Sequence, residues 1–221
     1  MDLLAPQPGS LLRGDYRDQA LRVYGEYGIA PGWTLTAGTA LERVRARGHG
    51  QVVQHSGVSD VILQLKRRIA SAPLAITVLA ETKLPTGYDA SRAPALGSGR
   101  LDGGGRLAVG RSMGALYISG ETGYRARAGR ADEFPFALEA GVTVRGSVML
   151  RGELSGVGTR NVPAVDAPFD PGRAESRSVS GSVSLVLLGD PLDIVFSADH
   201  VLTGRNTLAG TRFSLSIWRT D

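Results

Sequence analysis

The chain has 221 residues, 30 glycines, no cysteine and a formal net charge of +4. The absence of cysteine excludes disulfides and zinc–thiolate sites. The arginines are scattered singly instead of being gathered beside aromatic residues, which argues against nucleic-acid binding. No apolar run approaches the roughly 18 residues of a membrane-spanning helix. Because a high glycine content also disfavours long helices, the composition indicates a protein built from strands.

Apolar and polar residues alternate along most of the chain. In residues 20–30, Leu21 and Val23 fall on one face, and Arg22 and Glu26 fall on the other. A period of two indicates an extended strand whose two faces meet different surroundings. Most of these segments have the roughly 9–11 residues that a tilted strand needs to cross a bilayer core. The predicted strands are 20–30, 32–45, 58–69, 74–84, 104–112, 115–126, 134–145, 147–158, 177–189, 192–202 and 207–219.

The connections between these segments alternate strictly between short and long. The short connections contain Pro, Gly or Asp, and the longer ones are mostly polar. Outer-membrane barrels have this pattern of short periplasmic turns and longer external loops. Such barrels have an even number of strands, which predicts a twelfth strand near residues 3–13. The short set is Pro31, 70–73, 113–114, Gly146 and 189–191, and the long set is 46–57, 85–103, 127–133, 159–176 and 203–206.

These observations predict an all-β fold, a transmembrane antiparallel up-and-down β-barrel of about 12 strands. Residues 1–221 form a single barrel domain in this interpretation, with a shortened first strand and loop in 1–19. A soluble β-sandwich also alternates apolar and polar faces. However, the apolar faces here contain many Ala and Gly residues, and the polar faces carry charges of both signs at matched depth. Both features favour the barrel over the sandwich.

Three segments carry a resemblance to a known family. Residues 56–87 contain a Gly-x-x-Asp strand opening and then a partner strand that ends in Lys-Leu-Pro-Thr-Gly. Residues 24–35 read Tyr-Gly-Glu-Tyr-Gly-Ile-Ala-Pro-Gly-Trp-Thr-Leu, and residues 120–124 read Gly-Glu-Thr-Gly-Tyr. Together they resemble the outer-membrane proteins of the MetA-pathway-of-phenol-degradation type, which are relatives of porin-like transporters. The resemblance covers roughly residues 20–160.

The resemblance implies passive passage of small, often aromatic or apolar, molecules across a bacterial outer membrane. The expected partners are the lipid bilayer, a small-molecule permeant and the barrel-assembly machinery, and no nucleic acid or cofactor is expected. The oligomeric state stays open. Residues 1–8 lack the basic and apolar regions of a secretory signal, so an outer-membrane location requires a processed or trimmed chain.

The polar faces of the predicted strands are expected to line the lumen. Their charges either select permeants by sign in an open pore or neutralise each other across strands and fill a narrow barrel. The hairpin of residues 58–84 brings Glu81 and Lys83 beside Asp60 and Lys66, which predicts ion pairs among these four side chains. The predicted lumen-lining residues are Arg22, Tyr24, Glu26, Glu42, Asp60, Gln64, Lys66, Arg68, Glu81, Lys83, Glu121, Arg125, Glu139, Arg145, Arg151, Glu153, Asp193, Asp199 and Arg212.

Two long connections offer further candidate sites. The 85–103 connection either folds into the mouth as a constriction or forms a mobile external loop. The Gly-Gly-Gly-Arg run at 103–106 precedes a strand and not a helix, which excludes a phosphate-binding loop. Residues 159–176 contain carboxylates but no spaced set of calcium ligands. No metal site is predicted.

Histidines are the remaining candidates for catalysis. Asp199 and His200 are neighbours along one strand and point to opposite faces, so the carboxylate cannot easily orient the imidazole. His49 or His55 meets His200 only if their strands are close around the barrel. No catalytic residue is therefore predicted, and the leading function is a channel. The alternatives are a non-conducting structural or surface-interaction barrel and an outer-membrane hydrolase.

Overall fold

The computed structural model describes residues 15–48, 51–89, 94, 96–160, 177–205 and 209–219. These residues form one antiparallel sheet of twelve strands, which confirms the predicted all-β fold. No helix in the described ranges is long and apolar enough to cross a membrane. The strands are β1 (Asp15–Ala30), β2 (Trp33–Gly48), β3 (Gln51–Val58), β4 (Val61–Ala70), β5 (Ala75–Leu84), β6 (Asp102–Met113), β7 (Leu116–Arg127), β8 (Asp132–Thr143), β9 (Val148–Arg160), β10 (Arg177–Leu187), β11 (Leu192–Arg205) and β12 (Thr211–Arg219).

The strands follow each other around the sheet in chain order, with one interruption. Both β3 and β4 pair with β2: β3 pairs with Leu41–Gly48, and β4 pairs with Trp33–Gly38. Between them, the Ser59 amide donates a hydrogen bond to the Ala40 carbonyl. The two strands therefore share one position around the sheet, broken at residues 59–60.

The two ends of the barrel differ in their connections. At one end, which we call the short-turn end, the connections are brief; at the other, the loop end, they are mostly longer, as predicted. Gly32 and Gly114 adopt φ angles of 75° and 63° in two of the brief turns, a region that residues with a Cβ rarely occupy. The short turns are 31–32, 71–74, 114–115, 144–147 and 188–191.

Several predicted boundaries were wrong at the loop end. The segment 46–57 is not a loop, because β2 continues to Gly48 and β3 occupies most of the remainder. The 127–133 loop shrinks to residues 128–131, and β1 begins at Asp15. These strands extend past the apolar part of the barrel, where both faces are polar and sequence alternation is weak. The predicted strand at 3–13 lies outside the described residues.

Burial in this sheet is inverted relative to a water-soluble protein. Large hydrophobic side chains lie on the outside, and Leu21 and Phe213 are 67% and 80% exposed. Asp60, Glu81 and Asp102 are buried instead. The apolar faces therefore surround the barrel, and the polar faces form its interior.

The sheet curls until its first and last strands face each other. β1 and β12 are the two ends of the strand order. Their inward-facing rings, those of Tyr24 and Trp218, meet edge to face with centroids 5.8 Å apart. The curl surrounds a lumen whose wall is mostly polar, although Val44, Val186 and Val195 are also buried on the inward face.

Candidate functional site

Strand register shows which predicted side chains share the interior. Glu26, Thr36, Gln64 and Glu81 lie opposite one another on β1, β2, β4 and β5. The same alternation places all the predicted lumen residues on this face, with one exception. Arg145 lies exposed in the short turn 144–147 and does not belong to the strand wall.

A continuous series of ion pairs covers the inward face of β4 to β8, beginning at the loop end. The Lys83 ammonium lies 3.2 Å from Asp60 and 2.6 Å from Asp102. Asp102 is in turn 3.7 Å from the guanidinium of Arg127, which lies 2.6 Å from Glu133. The Asp102 side chain is fully buried. Charges of opposite sign therefore alternate across four neighbouring strands.

The same series continues deeper into the barrel through Glu133. Arg125 lies 2.8 Å from Glu133 and 2.7 Å from Glu81. Arg106 lies 3.0 Å from Glu81 and 2.7 Å from Glu121. A carboxylate that contacts two guanidinium groups offsets much of the desolvation cost of both. We call this set the charge network: Asp60, Lys83, Asp102, Arg127, Glu133, Arg125, Glu81, Arg106 and Glu121.

A glycine allows the network to reach across a strand. Gly104 is the register partner of both Glu81 and Arg125. A Cβ at Gly104 would lie 2.3 Å from the Tyr124 carbonyl oxygen. Because no side chain stands at this position, the Arg125 guanidinium crosses β6 and contacts Glu81. A larger residue here would separate the two charges.

The ion pairs expected within the 58–84 hairpin form only in part. Lys83 and Asp60 are paired, as predicted. The prediction was wrong for Glu81 and Lys66, because Gln64 lies opposite Glu81 and Lys66 lies opposite Leu79. Lys66 instead pairs with Glu26 and donates a 3.0 Å hydrogen bond to Tyr24.

The described part of the segment between β5 and β6 bends into the loop end of the lumen. The Tyr88 hydroxyl donates a 2.5 Å hydrogen bond to Asp60, and the Gly99 amide donates to the Tyr88 oxygen over 2.7 Å. The Ser98 amide contacts Asp60 at 3.3 Å, and Lys83 donates to the Ser98 hydroxyl at 2.6 Å. Burial and the nearby Asp60 carboxylate raise the pKa of Tyr88. Of the two roles expected for the 85–103 connection, these contacts favour a constriction at the mouth over a mobile external loop.

The same segment is held from its other side by β3. Leu96 is buried, and a Cβ at Gly57 would lie 3.0 Å from its Cδ1 atom. The His55 Nδ1 atom lies 3.1 Å from the Pro94 carbonyl oxygen. A Cβ at Gly97 would lie 2.5 Å from the Asp60 carboxylate, so this backbone approaches the wall closely. We call Tyr88, Pro94 and residues 96–99 the mouth segment.

The wall formed by β9 to β12 has a different composition. Small hydroxyl side chains predominate on it, and Ser184 and Ser197 lie 2.8 Å apart. The ion pairs that it makes are separate from one another: Arg151 lies 3.6 Å from Glu139 on β8, and Arg212 lies 3.4 Å from Asp199. The inward serines of this wall are Ser155, Ser178, Ser180, Ser182, Ser184, Ser197, Ser214 and Ser216.

A cavity of about 560 Å³ lies along the inner wall from β6 to β10. Arg106 and Glu121 line it on the network side, and Glu139, Glu153 and Ser180 line it toward the serine wall. Glu139 and Glu153 are direct partners on β8 and β9. Glu153 makes no ion pair within the described part of the chain. The cavity therefore has both polar and apolar lining, and its Glu153 carboxylate has no ion-pair partner among the described residues.

Sequence reasoning missed several members of these clusters. Asp102, Arg127 and Glu133 were placed in connections because the predicted strands were too short. Arg106 shares the inward period of Gly104 and Ala108 on β6, and that alternation was the signal that would have found it. Tyr88 and Ser98 belong to a loop, so no alternation of polar and apolar residues marks them as facing the lumen.

The histidines are not arranged for hydrolysis. His55 contacts a backbone carbonyl, and the His200 Nδ1 atom lies 2.8 Å from the Thr211 hydroxyl. Asp199 contacts Arg212, and His49 lies outside the described residues. Most of the 159–176 connection is outside them as well. Where the structure describes the chain, no group of three or more His, Cys, Asp or Glu side chains could hold a metal ion.

Comparison with known proteins identifies the type of fold. No protein-family model matches the chain, and no curated protein matches it. Among solved structures, a NanC porin is similar with a TM-score of 0.62 and 10% sequence identity, over 94% of this chain and 97% of that chain. This structural likeness supports a porin-like fold and does not point to the phenol-degradation type in particular. The chain has the fold of a porin-like β-barrel.

Proposed function

We propose that this protein is a bacterial outer-membrane channel through which small molecules pass passively. The observation that carries the proposal is the inverted burial, with apolar side chains around the outside of a curled sheet and charges within it. In water, an apolar surface of this extent would be costly. A lipid bilayer accepts it, because a barrel satisfies its backbone hydrogen bonds internally.

The depth profile of a single hairpin supports the membrane placement. On β1, the outward positions from Leu21 to Ile29 are apolar or glycine, with Tyr27 near the short-turn end. On β2, the outward positions from Trp33 to Leu41 are apolar except for Thr39, whose hydroxyl donates a hydrogen bond to the Ser59 carbonyl. Each stretch covers the roughly 9–11 residues of a membrane-crossing strand. Trp33 lies at the short-turn boundary, where aromatic side chains are favoured.

The asymmetry of the lumen supports a channel. The charge network covers the inward face of β4 to β8, and a cavity of about 560 Å³ extends from β6 to β10, where the network side meets the serine wall. Short hydroxyl side chains keep a passage wide and hydrated. A charged permeant would meet the carboxylates of Glu139 on β8 and Glu153 on β9 there, so the selectivity of the channel resides where the two walls meet.

The resemblance to the phenol-degradation type supports small aromatic or apolar molecules as permeants. The Tyr24 and Trp218 rings both face the lumen and are partly exposed. Aromatic rings of this kind offer a stacking surface to an aromatic solute. The barrel-assembly machinery and the lipid bilayer are the partners that such a channel requires.

A non-conducting barrel is the second candidate, and the mouth segment favours it. Its contacts with Asp60 and Lys83 narrow the loop end of the lumen. If this segment closes the barrel completely, the protein presents only its surface to partners. The two candidates share the fold and differ in conductance alone.

The test is to fold the protein into lipid and measure both closure and conductance. A mobility difference between boiled and unboiled samples on a denaturing gel is expected, because a closed barrel resists SDS. Stepwise conductance in planar bilayers is expected for the channel. A gel shift without conductance would favour the non-conducting barrel. A monodisperse protein in plain buffer, with no gel shift, would contradict the membrane placement.

A further inference from the structure

The first and last strands of the sheet face each other without pairing. β1 and β12 are the two ends of the strand order, and within the described residues no backbone ladder joins them. There, β1 pairs with β2 alone, and β12 pairs with β11 alone. In the described part of the chain, each of the two strands therefore has one backbone edge with no strand beside it. We call the space between these two edges the seam.

The two strands that border the seam run in the same direction. Both β1 and β12 begin at the loop end and end at the short-turn end. The cause is the position that β3 and β4 share, which leaves twelve strands in eleven positions around the sheet. When neighbouring strands are antiparallel, an odd number of positions gives the two end strands the same direction. Bacterial barrels have an even number, so one strand of the opposite direction fits between β1 and β12.

Side chains along the seam are less covered than those elsewhere in the wall. From Tyr16 to Ala30, Ala20 alone is partly covered, although these residues alternate between the two faces. On β12, the outward Ile217 is 66% exposed, against 39% for the outward Leu185 on β10. A strand in the seam would cover both faces of its neighbours, as β9 and β11 cover β10.

The aromatic contact at the seam sets the length of an occupant. The Trp218 ring meets the Tyr24 ring with centroids 5.8 Å apart, and Trp218 is the last residue but one of β12. Because the two strands run in the same direction, the nine residues of β12 lie beside a similar stretch of β1 that ends near Gly25. An occupant therefore needs about nine extended residues, which span roughly 30 Å.

We propose that the seam is a strand-binding site and that residues 1–14 of the chain occupy it, antiparallel to both β1 and β12. Leu21 and Val23 on β1 belong to the apolar band, so the seam lies at the depth of the hydrocarbon. Open sheet edges do not occur there, because lipid offers no partner to a free N–H or C=O group. The proposal therefore rests on the membrane placement proposed above.

Direction and length select residues 1–14, which lie outside the described residues. Asp15 follows them and begins β1 at the loop end, so a hairpin into β1 gives this segment the direction that the seam requires. Fourteen residues suffice for about nine in the seam and a tight turn. Pro6 and Pro8 lack an amide hydrogen and, being two residues apart, would face the same neighbouring strand. The Gln7 amide would face the other neighbour, so neither proline interrupts that ladder.

The first test places a proline in that uninterrupted ladder. The readout is the temperature at which the full chain, folded in lipid vesicles, loses its SDS-resistant form. We expect Gln7→Pro to lower this temperature by about 2–4 °C or more, the shift that one lost ladder hydrogen bond predicts for a chain of this size. Gln7→Ala keeps the amide hydrogen and should match the wild type. An unchanged temperature in Gln7→Pro would overturn the proposal, since an unpaired segment has no ladder bond to lose.

The second test measures the separation of β1 and β12. The sequence contains no cysteine, so an introduced pair can react only with itself. Val23 and Ile217 point outward on the two sides of the seam, each one residue before a ring of the aromatic contact. Strands with a third strand between them lie roughly 10 Å apart, and a disulfide cannot bridge Cα atoms more than about 7 Å apart. We therefore expect no disulfide in V23C/I217C under oxidation.

A matched pair on paired strands is the control for the disulfide test. Leu21 and Leu41 are register partners on β1 and β2, so L21C/L41C should form a disulfide under the same conditions. A disulfide in V23C/I217C as well would overturn the proposal, because β1 and β12 would then be direct neighbours.

The failure of this proposal is distinguishable from a failure of the channel. A wild type that is SDS-resistant and conducts, together with a disulfide in V23C/I217C, would overturn the strand-binding site alone. A wild type with no SDS-resistant form would overturn both this proposal and the membrane placement.

Discussion

The two halves of the lumen wall have different inward side chains, although both have an apolar outer surface. On β4 to β8, nine charged side chains neutralise each other in one series, with buried members such as Glu81 and Asp102. On β9 to β12, serines predominate, the ion pairs are separate from one another, and Glu153 makes no ion pair within the described part of the chain. Both halves present apolar residues outward, for example Val78 and Leu185. The comparison indicates that the first half stabilises the barrel and the second half shapes the passage.

The largest expected effect is on the network side. Glu81 contacts both Arg106 and Arg125, and its side chain is 3% exposed. Glu81→Ala leaves two guanidinium groups without this carboxylate, and we expect it to lower the free energy of unfolding by about 3 kcal/mol. Glu153→Ala on the opposite wall should change it by less than about 0.5 kcal/mol. Urea unfolding in lipid vesicles measures both, and equal losses would contradict the division of roles.

Arginine substitutions on the outer surface should have similar effects on stability in the two halves of the lumen wall. Val78→Arg on β5 and Leu185→Arg on β10 should each destabilise the protein, by at most the roughly 2–4 kcal/mol that an arginine costs at the bilayer midplane. Thr77→Arg is the control, because its side chain faces the lumen and the change should be tolerated. A refolding assay in vesicles gives the three values. Equal tolerance at all three positions would show that the faces are assigned wrongly.

The mouth segment should depend on the protonation of Tyr88. Its pKa is raised above the usual value of 10.0, so its stabilising contribution is complete below that pH and is lost as the pH rises through the folded-state pKa. Tyr88→Phe removes the hydrogen bond to Asp60 and should cost about 1 kcal/mol. We expect higher conductance in the variant at neutral pH and a rise in wild-type conductance only at strongly alkaline pH. An unchanged conductance in Tyr88→Phe would argue against a constriction.

The smallest expected effect is on ion selectivity. Glu153 lines the cavity without an ion pair among the described residues, so Glu153→Gln should reduce the preference for cations. The change should be at most a few-fold, because salt screens exposed charges over about 8 Å at physiological ionic strength. Reversal potentials under a salt gradient measure it. Glu121→Gln, which removes a partner of Arg106, is the comparison, and a larger shift there would place the selective charges on the network side.

Period-two alternation predicted most of the fold, although it failed at the loop end. The strand faces, the inverted burial and the alternation of short and long connections were all visible in it. The continuation of β2 past residue 45 and the strand β3 were not visible, because residues 46–57 lie beyond the apolar band and were predicted as a polar loop. Asp102 and Glu133 were missed for the same reason, since each stands at the first or second residue of its strand.

The sequence by itself determined which side of each strand meets lipid and which meets the lumen, because alternation depends only on the pleat. Only the tertiary structure decided the partners. The register between β4 and β5 places Gln64, and not Lys66, opposite Glu81. The curl of the sheet brings the Arg125 guanidinium across Gly104 to the Glu81 carboxylate. The mouth segment reaches Asp60 through contacts between residues far apart in the chain. A repeating pattern of polarity specifies a face, whereas pairing between charges depends on distances that only the curled sheet sets.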